Sequence, residues 1–448
     1  MTRVLKSYLS GQWVAGSGRT STLHNPTTGA VVAQTSTEGL DLGAALDYAR
    51  SQGGPALRAL TFAQRGELLS AMASALHEHR AELLELGTLN GGNTRGDAKF
   101  DVDGATGTLA WYAKLGGRLG DRPFLVDGET IQLARNPRYV GQHIRVPRHG
   151  VAVHINAFNF PAWGFGEKAA VALLAGVPVL CKPATSTALL TVRMFEILAA
   201  AQVLPAGAIS LLAGSAGDLL DHLGPQDALA FTGSSDTGAF IRSRDNIVRA
   251  GVPVNVEADS LNAAVLGPDV EVDTDTFDMF LREVGKDMSQ KAGQKCTAIR
   301  RIFVPRDSLD TVREALVEQA AGFVYGDPAT SGVQVGPVAT ATQHRDVRAG
   351  VERLAAAGRF VHGDGGPGTP VGDGVDGGYF VAPTLIEVDG PDVDVVHDLE
   401  VFGPVQTIIP YDGTADQAVA AVARGRGGLV STVYTDDKRF AIDAVLGL

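Results

Sequence analysis

From residue 151 onward, short apolar runs alternate with segments whose apolar residues recur at helical spacing, which predicts a parallel α/β sheet. Residues 151–155 and 177–181 read as strands, and residues 209–212 and 229–231 as two further ones. Helices are expected over 167–174 and 186–202, the second stopped before Pro205, with a short helix from Gly217. Asn159, Lys182, Gly214 and Ser234 each fall just beyond a strand, the place where parallel sheets bind ligands. A second α/β unit follows Glu257. Residues 276–288 put Phe277, Phe280, Leu281, Val284 and Met288 on one helical stripe. Asp273, Asp275 and Asp278 lie near its start, where the helix dipole favours negative charge. The helix is expected to end before Gly293, leaving Cys296 on the loop beyond it, and residues 300–304 resume as a strand. Residues 363–378, rich in Gly, Pro and Asp, read as an exposed loop, and the alternation over 125–146 as a protruding hairpin.

Composition narrows the class. A chain of 448 residues, 45% hydrophobic and 20% charged, is long enough for two or three domains. A net charge of -12 argues against nucleic-acid or anionic-membrane partners and leaves room for a local basic pocket. Two cysteines, Cys181 and Cys296, make no disulfide framework, which points to a reducing cytoplasm. The first ten residues have no apolar core of a signal peptide, and the longest apolar stretch, 169–181, is broken by Gly176 and Pro178. That stretch falls short of the roughly 20 apolar residues a bilayer requires, so a soluble protein is expected. The histidines, His77, His79, His143, His149 and His154 among them, lack partners at ligand spacing, so no metal is expected.

Three residues then supply a candidate chemistry. Cys296 stands in Gly293-Gln294-Lys295-Cys296-Thr297, among polar neighbours that disfavour a core position. Cys181, by contrast, ends an apolar strand and reads as core. Glu257 closes the alternating run 252–256 and is either a solvated strand-end group or a general base. Asn159, between Phe158 and Phe160, is either a turn residue or a desolvated amide that can hold an oxyanion. Lys182 either snorkels to water or contacts a nucleotide. The turns 214–217 and 232–234 each precede a helix and suit a pyrophosphate, although neither matches the dinucleotide fingerprint.

Taken together, these segments resemble the aldehyde dehydrogenase superfamily, from Gly11-Gln12-Trp13 to Glu400-Val401-Phe402-Gly403-Pro404-Val405. The resemblance implies an α/β aldehyde dehydrogenase fold: a Rossmann-like cofactor domain (1–123 and 148–256), an oligomerisation hairpin (124–147) and a catalytic domain (257–448). It makes Cys296 the nucleophile, Glu257 the general base and Asn159 the oxyanion amide. Phe158, Lys182, Pro183, Ala184, Thr185, Gly214, Gly217, Phe231, Thr232, Gly233, Ser234, Thr237 and Ala258 would bind the cofactor, with Glu400 and Phe402 at its nicotinamide ribose and ring. The motif Glu257-Ala258-Asp259-Ser260-Leu261-Asn262 departs from the family's usual Glu-Leu-Gly-Gly. With 154–161 and 291–301 it is similar to one branch, which handles CoA-thioester semialdehydes from aerobic ring opening of phenylacetyl-CoA or benzoyl-CoA.

Two departures add expectations. Many NAD-preferring relatives place a glutamate three residues after the lysine, where this chain has Thr185 and then Ser186, so NADP is expected, with NAD the alternative. The chain stops inside an apparent helix at Leu448, whereas relatives continue, so the C-terminus reads as truncated; a homodimer is expected if the remaining segment is present. The rival readings are a CoA-acylating dehydrogenase, a cysteine hydrolase pairing Cys296 with a histidine, and an inactive nucleotide-binding remnant.

Overall fold

The computed structural model describes residues 2–448, which divide into two compact units. The first comprises the chain up to Leu23, Val31–Leu86 and Ala98–Glu257; the second comprises His24–Ala30, Gly87–Asp97 and Ala258–Leu448.

The first unit is built on a seven-stranded sheet. Its order is Val254–Ala258, Ala228–Gly233, Ala152–Ile155, Val179–Lys182, Ile209–Leu211, Ser7–Leu9, Gln12–Val14. The four strands from Ala228–Gly233 to Ile209–Leu211 run parallel, and the last two are antiparallel additions. Their register aligns Ala230, His154, Cys181 and Leu211 in one row across the sheet. The loops after Ile155, Lys182, Leu211 and Gly233 therefore leave from the same carboxyl edge. Both faces are apolar and both are covered. Leu69, Met72, Phe165, Phe195, Val179 and Cys181 meet in one core, and Leu42, Leu46, Val153, Leu180, Phe231 and Ile241 in another.

The strand expected over 177–181 is Val179–Lys182, that over 229–231 extends to Ala228–Gly233, and three helices also differ from the sequence expectation. The helix expected over 167–174 is Trp163–Leu174, one turn longer at its start. Its opening N–H groups are met from outside the segment: the buried Asp101 carboxylate accepts from the backbone of Ala162 at 3.3 Å and Trp163 at 2.7 Å. The helix expected over 186–202 is a short 3-10 turn, Thr185–Thr187, followed by Ala188–Ala201, with Gln202 left-handed at its end. The helix expected from Gly217 is only the 3-10 turn Leu219–His222.

Residues 125–146 do form an antiparallel hairpin, Leu125–Gln132 with Val140–Arg145. It leaves Val126, Ile131, Tyr139, Val140 and Ile144 exposed.

The second unit carries a six-stranded sheet: Arg359–His362, Thr384–Glu387, Val405–Tyr411, Ile299–Pro305, Asn262–Leu266, Ser431–Tyr434. All neighbours are parallel except the first pair. Ile299–Pro305 and Val405–Tyr411 are buried at every position, as central strands covered on two faces must be. Helix Asp275–Ser289 buries Phe277, Phe280, Val284 and Met288 against one face, with Thr274 as its cap. Helices Ala341–Ala355 and Ala415–Ala423 cover the other. The stretch 363–378 is largely exposed, with one 3-10 turn, Val375–Gly377, and is pinned by a bridge between Gly326 and Val371. Among the described residues no helix is long and apolar enough to cross a membrane.

Candidate active site

In the second unit the chain leaves helix Asp275–Ser289 through three consecutive left-handed residues: Lys291 (φ 54°), Ala292 (φ 50°) and Gly293 (φ 69°). Side-chain residues in this conformation cost about 1 kcal/mol or more each and persist only when their surroundings hold them. Here the surroundings are polar and buried. Lys291, Gln294 and Lys295 are each about 95% buried, so the polar neighbours of Cys296 line the interior and only Cys296 and Thr297 reach outward.

Each buried group is accounted for. The Lys291 ammonium donates to Asn93 Oδ1 at 3.1 Å and faces Asp97, whose carboxyl is held above its ordinary range by burial and drawn back by that lysine. Gln294 Nε2 donates to the Lys291 carbonyl at 2.9 Å, and its Oε1 accepts from the Ala339 N–H at 3.0 Å. Lys295 Nζ donates to Asp287 Oδ1 at 2.6 Å and Gln290 Oε1 at 2.8 Å. Asn262 Nδ2 donates to the carbonyls of Cys296 (2.8 Å) and Ala298 (2.9 Å). The Asn262 amide oxygen accepts from Ser260 Oγ at 2.6 Å and from the Val430 N–H at 3.0 Å. A half-buried thiol is thus presented on a fully bonded loop. Cys181 is the opposite: burial pushes its thiol up to about 12 and makes it inert.

Arg300 ties this loop to the Glu400–Phe402 segment. It donates to the carbonyls of Gly293 (2.7 Å), Lys295 (3.3 Å) and Gly403 (3.0 Å), and its Cζ lies 5.2 Å from the Phe402 ring centroid. Glu400 Oε2 accepts from the Ser260 N–H at 3.0 Å. Burial raises the Glu400 carboxyl above its usual range, and Arg300 counters the shift.

In the first unit, Asn159 is buried in the loop after Ile155. Thr187 Oγ1 donates to the Phe158 carbonyl at 2.9 Å and Thr191 Oγ1 to the Pro161 carbonyl at 2.7 Å, which fixes the loop on both sides of the amide. Lys182, its pKa lowered by burial, ends strand Val179–Lys182, and Pro183, Ala184 and Thr185 follow. Gly214 (φ 145°) and Gly217 (φ 52°) turn the chain after Leu211. Phe231, Thr232 and Gly233 end strand Ala228–Gly233, and Ser234 caps helix Ser235–Arg242 by accepting from the Thr237 N–H. The shared strand edge gathers these residues with Asn159. Glu257 is half-buried near the end of strand Val254–Ala258, the edge strand of the sheet.

Sequence reading did not single out Asp287, Arg300 or Asn93, and gave no role to Ser260 and Asn262. The one available signal was Asn262 itself, an amide at the head of an otherwise apolar strand. His154 is buried and its pKa falls to about 3, so it stays neutral.

Thr232 Oγ1 and Glu400 Oε1 are among four buried side-chain oxygens of the described residues without a hydrogen-bond partner, the others being Asn156 Oδ1 and Gln406 Oε1. A nucleotide ribose hydroxyl suits either Thr232 Oγ1 or Glu400 Oε1, so the residues of each unit, taken by itself, fit part of a dinucleotide.

A sequence profile of the Aldehyde dehydrogenase family matches residues 13–446. The chain is 45% identical over 445 residues to a 3,4-dehydroadipyl-CoA semialdehyde dehydrogenase from Aromatoleum evansii, covering 99% of this chain and 86% of that protein. It is 28% identical to human retinal dehydrogenase 2, over 96% of this chain and 80% of the relative. A betaine aldehyde dehydrogenase from Staphylococcus aureus, solved in complex with NAD+, superposes with a TM-score of 0.85 at 25% identity, covering 99% of this chain and 85% of its own.

Proposed function

The chain belongs to the aldehyde dehydrogenase family and is an enzyme of NAD(P)-dependent aldehyde oxidation; from that premise we propose that its substrate is a semialdehyde carried on a CoA thioester and its cofactor NADP. The observation that carries the reading is Cys296, a half-buried thiol on a rigid polar loop bonded through Arg300 to the segment of Glu400 and Phe402. The relative from Aromatoleum evansii supports the substrate class.

Cys296 adds as thiolate to the aldehyde carbon, and the Asn159 amide donates to the oxyanion that develops. Bound NADP+ would supply the hydride acceptor for that carbon, and Cys296 would then hold the acyl group as a thioester. Glu257 takes a proton from water, which attacks the thioester and releases the acid and the thiol. Lys182, Thr185, Gly214, Gly217, Thr232 and Ser234 hold the adenosine and pyrophosphate, Glu400 the nicotinamide ribose, and Phe402 the ring. A reducing cytoplasm suits a thiol that is in no disulfide. The exposed apolar hairpin supports a homodimer; sedimentation showing only monomers would remove that assignment.

Glu257→Gln is expected to slow steady-state turnover by about a hundredfold while leaving the first turnover fast. Rapid mixing would show a burst of reduced cofactor close to one per Cys296, then a slow phase. A first turnover as slow as the later ones would place Glu257 before acyl formation instead. Product analysis settles the CoA-acylating rival, which would form an acyl-CoA at the aldehyde carbon.

The cofactor preference rests on Thr185 and Ser186, hydroxyl residues where a carboxylate would repel a 2′-phosphate. Thr185→Glu is expected to lower kcat/KM for NADP by about tenfold, which corresponds to about 1.4 kcal/mol, and to spare NAD. A native enzyme with higher kcat/KM for NAD overturns the preference.

A further inference from the structure

Arg300 is a buried charge of the second unit that the reaction does not consume. Its side chain is 4% exposed, and its fork reaches three backbone carbonyls on two separate segments. Gly293 and Lys295 belong to the loop that presents Cys296; Gly403 follows Phe402 directly. The remaining donor, Nε, faces Glu400 Oε1 at 3.6 Å, too far for a hydrogen bond, and neither atom has another partner. The ion pair is therefore attractive but unlocked. Glu400 is held on its other side only through Oε2, by the Ser260 N–H.

We propose that Arg300 is a positioning residue that couples the cofactor segment to the nucleophile, so that engagement of Glu400 by a ribose hydroxyl is felt at Cys296. This inference rests on the roles given above to Glu400 and Cys296. The coupling has two physical channels. One is mechanical: a planar guanidinium bonded to both segments transmits a shift of either one. The other is electrostatic. The Glu400 carboxylate balances part of the buried Arg300 charge, and a carboxylate turned toward a ribose leaves more of that field at the Cys296 sulfur. Glu400, Asp287 and Cys296 all support the charged form of Arg300 against the cost of its burial.

The chain offers a clean readout, because Cys181 is fully buried and Cys296 is the only other cysteine. The rate of Cys296 alkylation by iodoacetamide would be measured with and without saturating NADP, with NADP binding followed by calorimetry. In the native enzyme the two rates are expected to differ by about fivefold or more. In Arg300→Met the ratio is expected to fall within about twofold of unity, although NADP still binds at higher concentration. Arg300→Lys keeps the charge without the fork, so it loses the mechanical channel alone and its ratio should fall between those of the native enzyme and Arg300→Met; it also serves if the methionine variant does not fold. Glu400→Gln, which leaves Arg300 in place, should flatten the ratio too. A native ratio of unity overturns the coupling, as does an NADP-saturated Arg300→Met with the native ratio. A lysine variant indistinguishable from native also overturns it. An inactive Cys296→Ala combined with an unchanged ratio in Arg300→Met would sink the coupling alone and leave the functional reading intact.

Discussion

Cys296→Ala is expected to lower aldehyde-dependent reduction of NADP by about ten-thousandfold or more while leaving the fold intact. The effect on rate is large because nothing else can take the sulfur's place. Cys181 is sealed in the first unit's core with its thiol pushed up to about 12. The effect on stability is small because the loop is held by its backbone and by its other side chains. Asn262 grips the Cys296 carbonyl, and Lys291, Gln294, Lys295 and Arg300 grip the rest. Removing one half-buried sulfur touches none of those bonds, so the melting temperature should move by no more than about 3 °C. Turnover by a pure alanine variant above about one percent of native would exclude thioester chemistry at this residue. NADP titration of the same variant distinguishes lost chemistry from lost binding, and so also tests the reading as a nucleotide-binding remnant.

The central strands of the first sheet were legible because each is a short apolar run between turn residues, and burial on two faces demands that composition. The same holds for the helix that begins at Asp275, whose stripe of Phe277, Phe280, Leu281, Val284 and Met288 is buried as its spacing required except at Leu281, which is only partly covered. The start of helix Trp163–Leu174 was not legible, because the carboxylate that meets its first N–H groups comes from Asp101. Cys296 could be picked out by its polar neighbours, yet for an incomplete reason. Those neighbours are interior groups that spend their polarity on holding a strained turn. The partners that make this possible lie far along the chain: Asn262 is 34 residues from Cys296, and Glu400 is 140 residues from Ser260. No local pattern encodes such pairs; the fold creates them by laying strands Asn262–Leu266 and Ile299–Pro305 side by side.

Gly293→Ala is expected to be among the most damaging single substitutions in the second unit, even though it adds one methyl group. At φ 69° the residue is left-handed, which costs an alanine about 1 kcal/mol or more. The larger cost is steric. A Cβ there would sit 2.1 Å from the Gly403 carbonyl oxygen, 2.5 Å from its carbon and 2.9 Å from Pro404 N. All three are backbone atoms, so no side chain can rotate away. Gly403 cannot retreat freely, because its own carbonyl is bonded to Arg300 and Val347 stands close beside it, within 2.9 Å of where a Cβ on Gly403 would lie. The added methyl must therefore push the Cys296 loop and the Phe402 segment apart and break the bonds that Arg300 makes across them. Strain and overpacking together should lower stability by about 3 kcal/mol. Denaturant unfolding reads that loss directly. Where the variant stays folded, kcat should fall by about a hundredfold, because a displacement near 1 Å at the nucleophile is costly on that scale. A Gly293→Ala enzyme with native stability and native kcat would mean that the close approach of the two segments is not required by the working enzyme.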